Sequence, residues 1–218
     1  MGENVDWASV VHEEAQRSPI LRTDELSRKY EIVPAAVTQA LSRQERRGIV
    51  EHVSRKTYFN RLALNASPRD LVNVLRSEAY ISLESALLDS GVSTQSPYAL
   101  TCVTTQRAGN FEGKTVRISY RTISPRLYWG YVKKSTRYGS YLIAEPEKAI
   151  LDLIYLSLQQ GVAPALDELD FDRADKRKLL DYAPKFPSTV MKELLPALAM
   201  HGVQDEAMSS RSIVQEEK

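Results

Sequence analysis

The stretch Thr23-Asp24-Glu25-Leu26-Ser27-Arg28-Lys29-Tyr30, then Glu31-Ile32-Val33, then Pro34 through Arg47-Gly48 and on to Ile49-Val50-Glu51-His52-Val53 decides how this chain folds. Asp24 and Glu25 fall in the first turn of a short helix, where carboxylates favour the positive end of the helix dipole. Glu31-Ile32-Val33 makes a turn. Pro34 suits the first position of the next helix, because its missing N–H has no helical partner there. That helix runs to Arg47 and stops at Gly48. The apolar period then shortens. Ile49–Val53 reads as a strand, Ser54-Arg55-Lys56 as a tight turn and Thr57-Tyr58-Phe59 as the returning strand. Two helices joined by a short turn and followed by a hairpin have the order of a winged helix-turn-helix.

Upstream, Val5 to Arg17 reads as a helix capped by Asp6, with Trp7, Val10, Val11 and Ala15 at helical spacing and Ser18-Pro19 ending it. Downstream, Asn65-Ala66-Ser67-Pro68 marks a boundary. Short helices are expected at Arg69–Arg76 and Ser82–Ser90, the latter closed by Gly91. Strands are expected at Ala99–Thr105, Lys114–Thr122, Leu127–Lys133 and Ser140–Ala144. Helices return at Pro146–Gln160, about Arg173–Ala183, and Ser188–Met200. The expected fold class is therefore α+β, with a winged helix at 1–66, a mixed α/β domain at 67–201, and a polar, frayed tail at 202–218.

The chain has 218 residues, 43% of them hydrophobic and 26% charged, which suits a globular protein with a real core. Its single cysteine, Cys102, excludes an internal disulfide framework and a cysteine-based zinc site. Met1-Gly2-Glu3-Asn4-Val5-Asp6 lacks a basic segment followed by an apolar one, so no signal peptide is expected. The most apolar run, Ala149 to Leu158, is interrupted by Asp152 and falls short of the roughly 18 residues a spanning helix needs. A cytoplasmic protein with no membrane partner is the expectation.

The net charge of +1 hides an uneven distribution. Arg22 to Arg61 holds nine basic and five acidic residues. Gln106 to Tyr138 holds eight basic residues, Arg107, Lys114, Arg117, Arg121, Arg126, Lys133, Lys134 and Arg137, against the one acid Glu112. A local net of +7 suits a polyanion or an acidic partner, although a set of solvated strand faces would look the same.

On a helical wheel the Pro34–Arg47 helix puts Val33, Ala36, Val37, Ala40 and Leu41 on one side, able to pack against Leu26 and Tyr30. The opposite side carries Ala35, Thr38, Gln39, Ser42 and Arg46, with Arg43 at its edge. These are residue types that read DNA. Gln39 suits an adenine edge, Arg43 and Arg46 a guanine or phosphate, and Thr38 and Ser42 either base or backbone. Arg46 and Arg47 lie late in the helix, where phosphate is at least as good a partner. Arg55 and Lys56 at the hairpin tip can reach the DNA backbone or minor groove. Double-stranded DNA is the partner this pattern points to, and the same unit also occurs as a protein-docking module.

Leu26, Leu41 through Arg46-Arg47-Gly48, and Tyr58 form one set of motifs. A more specific set is Tyr80-Ile81-Ser82-Leu83-Glu84-Ser85-Ala86-Leu87 with Gly91-Val92, followed after a strand-rich segment by Ala144-Glu145-Pro146-Glu147-Lys148-Ala149-Ile150-Leu151-Asp152. In this order the motifs resemble the AbiEi-type antitoxin family, over about Thr23 to Gly161. The resemblance implies an N-terminal domain that represses its own promoter, and a C-terminal antitoxin domain that counteracts an AbiEii-like nucleotidyltransferase toxin by contact or by an indirect route. On that implication the basic residues between Arg107 and Arg137 are candidates for touching the toxin or extending the DNA contact. Read by their own chemistry, Lys148 and Asp152 are four apart and can pair on a helix surface, worth about 0.2–0.5 kcal/mol. Ser82 reads as a cap and Ser85 as a small packing residue.

The sequence offers little for catalysis. His12, His52 and His201 lie near no nucleophile motif, and Cys102 in an apolar strand reads as a buried small hydrophobe. Glu112-Gly113-Lys114 has the Glu-x-Lys spacing of metal-dependent nucleases, with Asp89 a conceivable second ligand, but Gly109–Gly113 reads as an exposed turn. The expectation is a protein without enzymatic activity, metal or cofactor. The alternatives are a winged-helix regulator that senses a small molecule and, more remotely, a metal-dependent nuclease.

Overall fold

The computed structural model describes residues 5–200. The expectations for the first four residues and for the 202–218 tail lie outside the described residues. The fold is α+β, with eight α-helices and two sheets among the described residues.

The N-terminal elements are α1 (Trp7–Ala15), β1 (Ile20–Arg22), α2 (Thr23–Lys29), α3 (Pro34–Arg46), β2 (Val50–Ser54) and β3 (Thr57–Asn60). This order is compatible with a winged helix. Asp6 caps α1, its carboxylate accepting from Ala8 N at 3.0 Å and from the Ser9 hydroxyl at 2.7 Å. The strands form a three-stranded sheet in the order β1-β3-β2, with β3 antiparallel to both neighbours. Val10, Val11, Leu21, Leu26, Val37, Leu41, Val50 and Tyr58 fill the core between this sheet and the helices. Burial of this apolar surface stabilises the unit at about 25 cal/mol per Å² removed from water. β1 is too short for an alternating pattern to betray it in the sequence.

After Asn60 come α4 (Val72–Leu75), β4 (Ala79–Ile81), α5 (Leu83–Ser90), β5 (Leu100–Thr104), β6 (Gly109–Glu112), β7 (Arg117–Thr122), β8 (Tyr131–Ser135), β9 (Ser140–Ala144), α6 (Pro146–Gln159), α7 (Lys176–Tyr182) and α8 (Ser188–Met200). The six strands order as β6-β7-β5-β4-β9-β8. β5 pairs parallel with β7, β4 parallel with β9, and β6 antiparallel with β7, so the sheet is mixed. Several expectations change here. The helix expected at Arg69–Arg76 is a 3-10 turn, Pro68–Leu71, followed by one α-helical turn, Val72–Leu75, and the strand expected from Lys114 begins at Arg117. Gly109–Glu112 is a strand and not a turn, because it lies antiparallel along β7 with Asn110 opposite Ser119 and Glu112 opposite Arg117. The strand expected at Leu127–Lys133 begins at Tyr131, because Pro125–Leu127 first closes a 3-10 turn.

The described chain divides into two compact units. One holds the residues up to Tyr80, with Tyr98–Thr122 and Lys133–Leu142. The other holds Ile81–Pro97, Ile123–Val132 and the described residues from Ile143 onward.

The second unit centres on α6, where Ala149, Ile150, Leu151, Ile154 and Leu156 are buried. Lys148 and Asp152 are also fully buried and form an ion pair. The expectation of a surface pair is thereby corrected: Glu147 through Asp152 are all buried, whereas Leu153, Tyr155 and Ser157 further along α6 are only partly so. The Ser82 hydroxyl donates to the other carboxylate oxygen of Asp152 at 2.8 Å and does not cap α5, which corrects its expected role. The next residue, Leu83, is held at φ +55°, a left-handed conformation that costs an L-residue about 1–2 kcal/mol. The network binding Ser82 and the burial of Leu83 hold that turn in place. Gly130 sits over the Lys148 stem at φ +74°, and a Cβ there would come within 3.0 Å of Lys148 Cγ. Trp129 packs edge-on to Tyr182 at 4.8 Å and against Phe186 at 5.9 Å, closing the cover over the ammonium. Burial lowers the pKa of Lys148, and Asp152 opposes that shift. Beside it, burial would raise the pKa of Glu145, but Lys178 Nζ at 2.7 Å and the Tyr182 hydroxyl at 2.8 Å hold it below its ordinary value.

Candidate nucleic-acid interface

α3 enters at Pro34 and leans on the core through Val37, Ala40, Leu41 and Gln44, all buried. Two residues expected on that inner side are exposed, Val33 at 67% and Ala36. The contact begins one turn later than the wheel implies, because Val33 precedes the helix and Ile32, one residue earlier, is the turn residue that packs against the core. Gln44 replaces them at the far end of the buried stripe.

The opposite face is continuous. Ala35, Thr38, Gln39, Ser42, Arg43 and Arg46 line one shallow groove along α3. Every side chain assigned to that face from the sequence is therefore brought together on it. The Thr38 hydroxyl donates to Pro34 O at 2.9 Å, so its remaining capacity is as an acceptor. Arg47 departs from the group: it turns toward Gln44, with its Nη1 at 3.5 Å from Gln44 Oε1.

Arg55 and Lys56 form the exposed tip of the β2–β3 hairpin, and Lys56 adopts φ +63° to make the turn tight. Thr23 N donates to Lys56 O at 3.0 Å, fixing the tip beside the start of α2. Among the described residues Arg43, Arg46, Arg55 and Lys56 have no carboxylate at ion-pair distance, whereas Lys29 is neutralised by Glu14 and Arg17 by Glu13. Glu45 is engaged in accepting from His52 N at 2.9 Å, and this ties the end of α3 to the edge strand β2. The groove and tip are left with unneutralised positive charge, the arrangement a phosphate backbone requires.

The eight basic residues of the 106–138 segment do not form one patch. Arg117 and Arg121 share a face of β7, with Arg107 in the turn entering β6 and Lys114 in the β6–β7 turn. Lys133 and Lys134 lie on β8 at the other end of the strand order, four strands from β7 and so roughly 19 Å away. Arg137 follows β8, its guanidinium 5.7 Å from the Tyr138 ring centre, and the Tyr138 hydroxyl donates to Leu64 O at 2.8 Å. Arg126 belongs to the second unit, in the 3-10 turn before β8. The β6–β7 turn is pinned to the hairpin: the Glu51 carboxylate accepts from Thr115 N at 3.1 Å and from the Thr115 hydroxyl. Gly113 allows the approach, since a Cβ there would stand 1.6 Å from Glu51 Oε1. Tyr98, which sequence reasoning did not single out, stacks on Arg117; its exposure had no periodic signal to reveal it.

Among the described residues no group of three or more His, Cys, Asp or Glu side chains is placed to hold a metal ion. Glu112 and Lys114 are both exposed. Cys102 is buried, and burial raises its thiol far above the ordinary range. Among the described residues no helix is long and apolar enough to cross a membrane. No protein-family model matches the chain, and no curated protein matches it either.

Proposed function

We propose that this protein is a sequence-specific DNA-binding repressor of the AbiEi antitoxin type, acting on its own operon and counteracting a nucleotidyltransferase toxin. The observation that carries the DNA half is the α3 groove, which Thr38, Gln39, Ser42, Arg43 and Arg46 line together; the exposed Arg55 and Lys56 hairpin tip adds unneutralised charge. α3 lies in the major groove, Gln39 and Arg43 reach base edges, and Arg46 and the wing tip hold phosphates. The antitoxin half rests on the resemblance of the Tyr80–Val92 and Ala144–Asp152 segments. The buried Ser82–Asp152–Lys148 network, which joins residues of both segments, is consistent with their belonging to one structural unit.

The protein acts by binding and has no catalytic step. The test expresses the adjacent reading frame with and without this chain supplied from an unrelated promoter. Growth arrest by the neighbour, relieved by this chain, supports the reading. A harmless neighbour or unrelieved arrest overturns the antitoxin half, and the DNA half stands or falls on operator binding.

A further inference from the structure

A second surface in the first unit has a chemistry that duplex recognition by α3 does not use. Arg117, Ser119 and Arg121 alternate onto one face of β7 while Ile118 and Tyr120 are buried on the other. The Arg117 guanidinium stacks 4.4 Å from the ring centre of Tyr98, which is 75% exposed. Glu112 is Arg117's cross-strand partner, yet the two make no ion pair, because the guanidinium is turned to the ring. Arg107 and Arg121 likewise have no carboxylate at ion-pair distance among the described residues. Between the arginines the Ser119 hydroxyl donates to Asn110 Oδ1 at 2.9 Å, leaving the hydroxyl oxygen and the Asn110 amide hydrogens on the same face.

We infer that this β7 face, with Tyr98 stacked on Arg117, binds single-stranded RNA. Each component has a separate job. The guanidinium covers one face of the Tyr98 ring and holds it still, so the other face is ready to stack an unpaired base. Bases in a duplex are already stacked on each other and are not offered to such a ring. Arg117 and Arg121 stand about 13 Å apart along the strand and, with Arg107, supply charge for successive phosphates. Ser119 and Asn110 supply the small donors and acceptors that engage a ribose 2′-hydroxyl. An acidic protein would use the charges alone and would have no need of the ring. The inference goes beyond the duplex-DNA reading and is independent of it.

The experiment is fluorescence anisotropy of the full chain with a 15-nucleotide mixed-sequence single-stranded RNA, the same sequence as single-stranded DNA, and polyglutamate as competitor. RNA binding is expected to weaken about tenfold in Tyr98→Ala and to stay within about twofold in Tyr98→Phe, which keeps the stacking ring. Arg117→Ala with Arg121→Ala is expected to reduce the salt slope by about 1.4, as two lost phosphate contacts require. Tyr98 is largely exposed, so its replacement leaves the core intact. Absence of RNA binding, equal affinity of Tyr98→Ala and the native chain, equal binding of the DNA strand, or efficient displacement by polyglutamate would each overturn the inference. Duplex binding measured in parallel with Arg43→Ala reports on α3 alone, so failure of one surface is distinguishable from failure of the other.

Discussion

Replacing Lys148 by Met separates a buried ion pair from a surface one. Met keeps an unbranched stem in the slot beneath Gly130 and Trp129 and removes only the ammonium. A surface pair four residues apart on a helix would cost about 0.2–0.5 kcal/mol to lose. Lys148 and Asp152 are both fully buried, so the variant strands a carboxylate in the interior, which costs about 3–5 kcal/mol. Removing both charges, in Lys148→Met with Asp152→Leu, leaves no orphaned charge and is expected to recover most of that loss. The assay is equilibrium urea unfolding followed by Trp129 fluorescence in a Trp7→Phe background. Trp129 lies 5.2 Å from the Lys148 ammonium and reports on the local packing. A loss below about 1 kcal/mol for the single variant, or a double variant no more stable than the single one, would refute the reasoning.

Gly130→Ala is expected to destabilise the same region by at least about 1–2 kcal/mol in the same assay, because φ is +74° and the new Cβ meets the Lys148 stem. Cys102 should stay unmodified by a thiol reagent in the native protein and react once urea unfolds it, since burial raises its pKa and excludes the reagent. Glu145 has a depressed pKa, so its stabilisation is present above its unfolded value and is lost as pH falls through the folded one. Lys178→Ala should flatten the acid limb of the stability–pH curve. Arg43→Ala should weaken operator binding by about 1–3 kcal/mol and relax preference at one base pair, whereas Arg55→Ala should weaken all sequences alike and lower the salt slope by about 1.

The sequence was most legible where local signals and burial agree. Ser140–Ala144 and Ser188–Met200 form as read, and the Pro34 entry and Gly48 stop delimit α3 to within a residue. The face of α3 was legible because its polar side is continuous over three turns. Its inner limit was not, because a wheel cannot say where along the helix the core begins, and Val33 and Ala36 fall outside it. β6 was hidden by glycines at both ends, which mimic a turn, while its pairing partner lies further along the chain. Lys148 and Asp152 have the same spacing whether exposed or buried. Only the packing around residues 147–152 of α6 decides between the two. The 106–138 basic run was legible as charge, but strand order, which no local pattern encodes, sends its members to opposite ends of the sheet.

Sequence-specific reading of DNA by α3 is tested by nuclease protection of the region upstream of the protein's own reading frame, in the presence of excess unrelated DNA. A discrete protected site is expected with the native chain, lost when Gln39 and Arg43 are both replaced by Ala in a protein that still folds. Protection that the competitor abolishes, or that survives the double replacement, would contradict it.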